Sequence, residues 1–226
     1  MYWFWDPTFI LIIPALLLGI WARSHVKSTF DKFSRVRSSR GYSGAKAAQL
    51  IMSTAGIHDV DIENVNSNNL SDHYDPKAKS LRLSNQVHNS DSIAAIGVAA
   101  HEVGHAIQHH NGYIPLKLRN TFVPVASFGS NLAFPLFIAG LIFRFQPLMK
   151  IGIIFFGAAV LFHLITLPVE IDASRRAIKT IRGTALLTET ETSGAKKVLT
   201  AAAMTYVASA LMALLNFLRL ILLSRR

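Results

Sequence analysis

His101-Glu102-Val103-Gly104-His105 places two histidines four residues apart, with a glutamate directly after the first. On a helix, residues at that spacing lie one above the other. Both imidazoles can then face one metal ion, which zinc ligation would hold at about 2.0–2.1 Å. Glu102 follows His101 by about 100° of helical turn. That sets it beside such an ion, where a carboxylate can take a proton from an attacking water. Two ordinary helical histidines are the plain alternative. The flanks favour the metal, because Ile93, Ala94, Ala95, Ile96, Val98, Ala99, Ala100, Val103, Ala106 and Ile107 make the segment apolar on most sides. Histidine and glutamate buried in such a helix need polar partners. Ser90, Asp91 and Ser92 offer N-cap oxygens and Gly112 a stop, so a helix is expected over 91–111. Gly104 in its middle would let another element approach closely.

A catalytic zinc site takes three protein ligands. The chain has no cysteine, so no thiolate can serve, and the remaining glutamates are Glu63, Glu170, Glu189 and Glu191. Glu63 belongs to the region expected to be soluble, and Glu189 and Glu191 lie in a Thr-rich stretch that reads as a loop. Glu170 follows a long apolar run and Pro168, near the membrane surface expected to carry the HExxH helix. Topology therefore favours Glu170. His109, one turn beyond His105, stays as the alternative, although three ligands from one straight helix converge poorly. Asp72, His73 and Asp75 could be imagined as a second metal site. Asp75-Pro76 reads more simply as a turn.

The elements that must position these groups are largely membrane-like. Net charge is +10 and half the residues are hydrophobic (51%). The mean hydropathy of +0.34 and the long apolar runs set a bilayer, rather than a nucleic acid, as the reason for the basic residues. No motif interleaves aromatic and basic residues as nucleic-acid readers do. Trp3, Trp5 and Trp21 bracket the apolar run 9–20, with Arg23, Lys27, Lys32, Arg35, Arg37, Arg40 and Lys46 following. This is the pattern of an uncleaved transmembrane helix with interfacial anchors. Further spans are expected over 122–143 and 151–167, the second ended by Pro168. His163 is its only ionisable group. A fourth span, or a helix packed along the membrane, is expected from 198. Ser43 to Gly56 reads as an amphipathic helix, Ile57 to Val65 as a short strand, and Leu81 and Leu83 alternate with polar residues as a half-buried strand does. A free edge on that strand, Leu81-Arg82-Leu83-Ser84, could pair with an extended peptide.

Three segments together carry a resemblance. They are the HExxH segment, the preceding Asp72-His73-Tyr74-Asp75-Pro76 with Leu81-Arg82-Leu83-Ser84, and the later Pro168-Val169-Glu170-Ile171-Asp172-Ala173-Ser174. Over nearly the whole chain, this resembles the YugP-like putative neutral zinc metallopeptidases of bacterial membranes. More distantly the plan is similar to the HtpX-like and CAAX-protease-like membrane gluzincins. Those share a hairpin strand, an HExxH helix and a later helix bearing a glutamate ligand. The resemblance implies His101, His105 and Glu170 as ligands and Glu102 as general base. Many gluzincins carry an aspartate four residues after the ligand glutamate, where it orients a histidine. Here that position is Ser174 and the neighbouring carboxylate is Asp172, so these two are the candidates for supporting the ligands. No Asn-Pro-Asp-Gly or Leu-Asp-Gly segment occurs in the spans, unlike the site-2-type intramembrane proteases.

The expected architecture is a mainly α membrane protein of about four transmembrane helices with a small α+β, gluzincin-like cytoplasmic catalytic part. Its regions are an N-terminal span 1–22, a catalytic region 23–121, a transmembrane hairpin 122–168, a cytoplasmic helix 169–197 with the third ligand, and a membrane helix 198–226. The expected activity is peptide-bond hydrolysis with one Zn²⁺ per chain, at the cytoplasmic face of a bacterial inner (plasma) membrane, on membrane or unfolded proteins. A non-catalytic zinc-binding membrane scaffold is the alternative. The expected partners are a peptide or protein substrate and the lipid bilayer, not nucleic acid, with a membrane-protein partner or a homo-oligomer left open. Arg175, Arg176, Tyr113 and His109 are the candidates for stabilising an oxyanion. Eighteen of the 23 Lys and Arg fall in 23–122 and 169–197, which the positive-inside rule assigns to the cytoplasm. An accessibility reporter placed between Arg23 and Arg40 should therefore be labelled only from the cytoplasmic side. Labelling from outside intact cells would reverse that orientation.

Overall fold

The computed structural model describes residues 7–65 and 71–225. Trp3 and Trp5, invoked above as anchors, lie outside the described residues, as does Arg226. In chain order, a 3₁₀ helix (Pro7–Leu11) precedes α1 (Ile13–Ser34) and α2 (Gly44–Thr54). Next come β1 (Asp61–Val65), β2 (His73–Asp75) and β3 (Ser80–Ser84), then α3 (Asn85–His88) and α4 (Ile93–His110). Three long helices complete the chain: α5 (Ile114–Ile142), α6 (Gln146–Gly183) and α7 (Glu189–Ser224). The protein is mainly helical with one small sheet. It divides into two compact units, one built from 24–114 and 169–203, the other from the N-terminal residues to 23, 115–168 and 204 onward.

The first unit holds the sheet. Its strand order is β1-β3-β2, with β1 parallel and β2 antiparallel to β3. This corrects the expectation of a free edge on Leu81-Arg82-Leu83-Ser84. β3 is the central strand, Leu81, Leu83 and Ser84 are fully buried, and Arg82 is tied to Glu63 and Asp75. Apolar alternation marks a strand but not its neighbours, so the sequence could not say which strand lies at the edge. The β2–β3 turn follows its local chemistry. Asp75 Oδ1 accepts the N–H groups of Lys77 and Ala78, and Lys79 takes the left-handed conformation at φ 51°.

Helix α2 begins where the Ser43 side chain accepts the N–H of Lys46 and stops before Gly56, at φ +72°. Its buried face is Ala47, Ala48, Ile51 and Met52, packed with Leu81, Leu83, Val87, Ile96, Val103, Ile181 and Leu186 into one core. Helix α4 starts at Ser92, whose Oγ accepts the Ala95 N–H, and is buried on nearly every face, which is why its sequence is apolar all round. Asp91, another cap candidate, pairs with Arg37 instead. Glu189 and Glu191, read above as a loop, open α7. Thr188 and Glu191 form a reciprocal capping box, each N–H donated to the other's side chain. That Thr-x-x-Glu signal was present in the sequence and marks a helix start.

In the second unit, α5, α6 and α7 are the described helices long and apolar enough to cross a membrane. They number three, against the four spans expected. The apolar run at the N-terminus is divided between the 3₁₀ turn and the first half of α1, while the second half of α1 carries Lys27 and Lys32. Pro168 does not end its helix: α6 runs unbroken from Gln146 to Gly183 with Pro168 inside it. Proline forfeits one backbone hydrogen bond and disfavours the helix locally, but the flanking turns continue. Helices α5 and α6 approach closely at Gly152, where a Cβ would meet the Ala133 carbonyl oxygen at 2.7 Å. Large apolar side chains such as Phe143 and Ile154 stand 76% and 69% exposed, as suits a lipid-facing surface. His163 lines a cavity of about 470 Å³ in this unit, together with Arg23, Ser130 and Asn216.

Gly44 packs its Cα against the Val87 carbonyl at the junction of α2 and α3, leaving no room for a Cβ. Overpacking of this kind costs about 1–3 kcal/mol. Gly44→Ala should therefore lower the melting temperature of the purified protein, whereas Gly19→Ala, where the added Cβ meets nothing within 4 Å, should not.

Candidate metal centre

His101 and His105 project from one face of α4, their rings edge to face with centroids 4.9 Å apart. Glu170 reaches them from α6. Its Oε2 lies 3.2 Å from His101 Nε2 and 3.5 Å from His105 Nε2. The three side chains each offer a ligand atom, all within 4.8 Å of one another, and Glu170 and His105 are buried. Among the described residues this is the only such group of His, Cys, Asp or Glu. Asp72, His73 and Asp75 do not form a second site. Asp72 accepts the N–H and Oγ–H of Ser84, the His73 Nδ1–H donates to the Ser71 carbonyl, and Asp75 holds its own turn.

The helix pair can close to this distance because of Gly104. A Cβ there would lie 2.5 Å from the Ala173 carbonyl oxygen. Glycine costs α4 up to about 1 kcal/mol of helix propensity, and in exchange α6 can bring Glu170 over the two histidines.

Each imidazole is oriented by a partner at its other nitrogen. His101 Nδ1 meets Ser174 Oγ at 3.1 Å, one helical turn after Glu170 on α6. His105 Nδ1 meets Gln108 Oε1 at 3.0 Å. The Gln108 carbonyl can only accept, so His105 is protonated at Nδ1 and its Nε2 lone pair faces the cluster. The Gln108 amide in turn donates to the Val169 carbonyl and to Asp172 Oδ2, both at 2.8 Å. Asp172 also accepts from Arg176, whose guanidinium sits 5.5 Å above the Tyr113 ring. So Ser174 contacts one histidine directly, and Asp172 reaches the other through Gln108. Fully buried Gln108 was not among the sequence candidates. Its signal was there, since position 108 shares a helical face with position 105.

Glu102 is buried beside the cluster, and its Oε2 accepts the backbone N–H of Tyr74 at 3.1 Å. That N–H points away from β3, so the outer edge of β2 faces Glu102. Burial pushes the Glu102 carboxyl up to about 7, against the opposing pull of His101. His109 does not join the ligands: its Nδ1 is hydrogen-bonded to the Tyr74 hydroxyl at 2.8 Å. Burial, and then the charges of Asp59 and Asp75, raise the Tyr74 pKa to about 12. Glu189 and Glu191 are engaged elsewhere, with Arg182 and with Ser39 and Thr188, and Glu63 pairs with Arg82.

The donor set fits zinc. Two imidazoles and one buried carboxylate make the His₂Glu combination of known catalytic zinc sites. Both imidazoles have their far nitrogen already engaged, and a buried carboxylate requires a positive partner. Purified protein should bind about one zinc per chain, and His101→Ala, His105→Ala and Glu170→Ala should each abolish tight binding. Glu189→Ala and Glu191→Ala should retain it. Gln108→Ala should weaken binding by about 10- to 100-fold, read by competition with a calibrated chelator. Full metal content in all three ligand variants would place the ion elsewhere.

Comparison with known proteins agrees with this chemistry. Residues 8–225 match the profile of a family described as "Putative neutral zinc metallopeptidase". A Bacillus subtilis (strain 168) protein named "Putative membrane protease YugP" is 46% identical over 213 residues, covering 94% of each chain. No solved structure matches.

Proposed function

We propose that this chain, which belongs to the family of putative neutral zinc metallopeptidases, is a membrane-embedded zinc endopeptidase acting on extended segments of membrane or unfolded proteins. One observation carries the reading: a carboxylate, Glu102, lies beside the His101–His105–Glu170 cluster and accepts an N–H from the outer edge of a strand. A purely structural metal has no use for that additional carboxylate.

His101 Nε2, His105 Nε2 and a Glu170 oxygen would hold the ion. Bound zinc supplies a Lewis acid that polarises the scissile carbonyl and makes water a better nucleophile. Glu102 takes a proton from the attacking water as the C–O bond forms. It returns that proton to the amide nitrogen as the C–N bond breaks, so the amine leaves neutral. Gln108 keeps His105 in the tautomer that leaves Nε2 free for the ion, and Ser174 holds the His101 ring in place. The substrate would add as a strand to the outer edge of β2, next to Glu102, in place of the buried β3 edge first expected.

The same reading places the protein in the inner (plasma) membrane of a bacterial cell, with the metal unit on the cytoplasmic side. Its support is the concentration of Lys and Arg in 23–122 and 169–197 and the three apolar helices.

Glu102→Gln tests the mechanism. It keeps the shape of the side chain but cannot accept the proton. Zinc content and melting temperature should stay at wild-type values while cleavage of a substrate falls about 10²–10⁴-fold. An equal turnover rate in both proteins would remove Glu102 as the base. A zinc-loaded wild type that cleaves nothing in a broad library of peptides and membrane proteins would favour the scaffold reading.

A further inference from the structure

Helices α6 and α7 enclose a groove of about 560 Å³ within the sheet-bearing unit, apart from the edge of β2. Its floor is apolar, formed by Ile171, Ile178, Leu199 and Ala203, and its walls carry Arg175, Lys179, Arg182 and Lys196. Positions 171, 175, 178 and 182 make one stripe along α6, and 196, 199, 200 and 203 one stripe along α7, each at helical spacing. Arg182 is paired with Glu189 at 3.3 Å. Arg175, Lys179 and Lys196 are exposed and have no ion pair among the described residues. Three uncompensated cations over an apolar floor, on neighbouring helices, repel one another unless an anion lies between them.

The position of the groove along the chain narrows the class of anion. Ile171 is three residues past Pro168, about 4.5 Å of helix, and Pro168 is the last α6 residue of the apolar unit. Ala203 directly precedes Met204, where α7 enters that unit. Both helices therefore run from the groove straight into segments apolar enough to cross a bilayer. If those segments cross a bilayer, its headgroups come next to Ile171 and Ala203 in the chain. Basic residues at such a boundary attract anionic lipid, each adding roughly 1 kcal/mol.

We propose that this groove binds the headgroup of one anionic phospholipid, its phosphate between Arg175, Lys179 and Lys196 and the upper part of an acyl chain along Ile171, Ile178, Leu199 and Ala203. The lipid also touches the metal centre indirectly, since Ser174 lines the groove and contacts His101 Nδ1. Neither the site nor its test depends on peptidase activity.

The test uses the full-length chain, purified in detergent, with phosphatidylglycerol and phosphatidylcholine of identical acyl chains. Native mass spectrometry should show one phosphatidylglycerol retained per chain and no comparable retention of phosphatidylcholine. The variant Arg175→Gln/Lys179→Gln/Lys196→Gln should bind phosphatidylglycerol about 10- to 100-fold more weakly. Arg35→Gln/Arg40→Gln/Lys77→Gln removes the same charge outside the groove and should bind as wild type does. A second measurement needs no variant. In nanodiscs, phosphatidylglycerol should slow acetylation of Lys179 and Lys196 relative to Lys77, and phosphatidylcholine should not. Equal weakening in both triple variants would reduce the effect to general surface charge and overturn the proposal. So would protection of Lys179 and Lys196 by millimolar inorganic phosphate or by an acidic peptide as strong as that given by the lipid.

Discussion

A buried carboxylate at Glu170 is the constraint on which the rest of the sheet-bearing unit depends. An ionised carboxyl removed from water is costly unless positive charge or a metal lies against it. The Nε2 atoms of two histidines lie 3.2 and 3.5 Å from Glu170, so an ion held by all three would supply that charge. Holding three ligand atoms that close requires two helices at an approach that only Gly104, against the Ala173 carbonyl, permits. It also requires two imidazoles that cannot rotate. Ser174 restrains one, and Gln108, itself held by Val169 and Asp172, restrains the other. Residues 169–176 thus supply the ligand carboxylate, the Ser174 contact to His101, the two groups that hold Gln108, and the Arg176 that pairs with Asp172.

The sheet has a correspondingly narrow task. It is three strands wide, and its central strand is spent on burial. What it contributes to the centre is the outer side of β2. There the Tyr74 N–H meets Glu102, and the Tyr74 hydroxyl holds His109 out of the ligand set. The tight Asp75–Lys79 turn and the Asp72–Ser84 contacts fix β2 in register with β3. A short edge strand with one backbone N–H already turned toward a carboxylate suits an incoming chain better than a buried strand does.

Helices α6 and α7 each serve two environments. Along α6, an apolar run gives way, with no break at Pro168, to the stretch bearing Glu170 and four cations. Along α7 the order reverses, from a capped polar start to an apolar run.

Much of this was legible in residue order. The spacing 101–105, the glutamate between, the caps at Ser43 and Ser92, the stops at Gly56 and Gly112, and the apolar runs all act through neighbours within a few residues. Local periodicity reads such features directly. Glu170 was favoured by elimination and topology, and the structure brings it to the histidines. The helix start at Glu189 was equally local, carried by the Thr188–Glu191 pair, but a run of threonines masked it. Other features depend on contacts between distant residues. That β3 is central and β2 outermost is a matter of pairing across the sheet, which alternation along one strand does not encode. Gln108, Val169 and Asp172 meet 61 to 64 residues apart in the chain. The sequence by itself determined which groups could bind a metal and where α2 and α4 begin and end. Tertiary packing decided which carboxylate meets the histidines, what restrains each ring and which strand edge faces Glu102, because those depend on long-range approach, here set by a missing Cβ at Gly104.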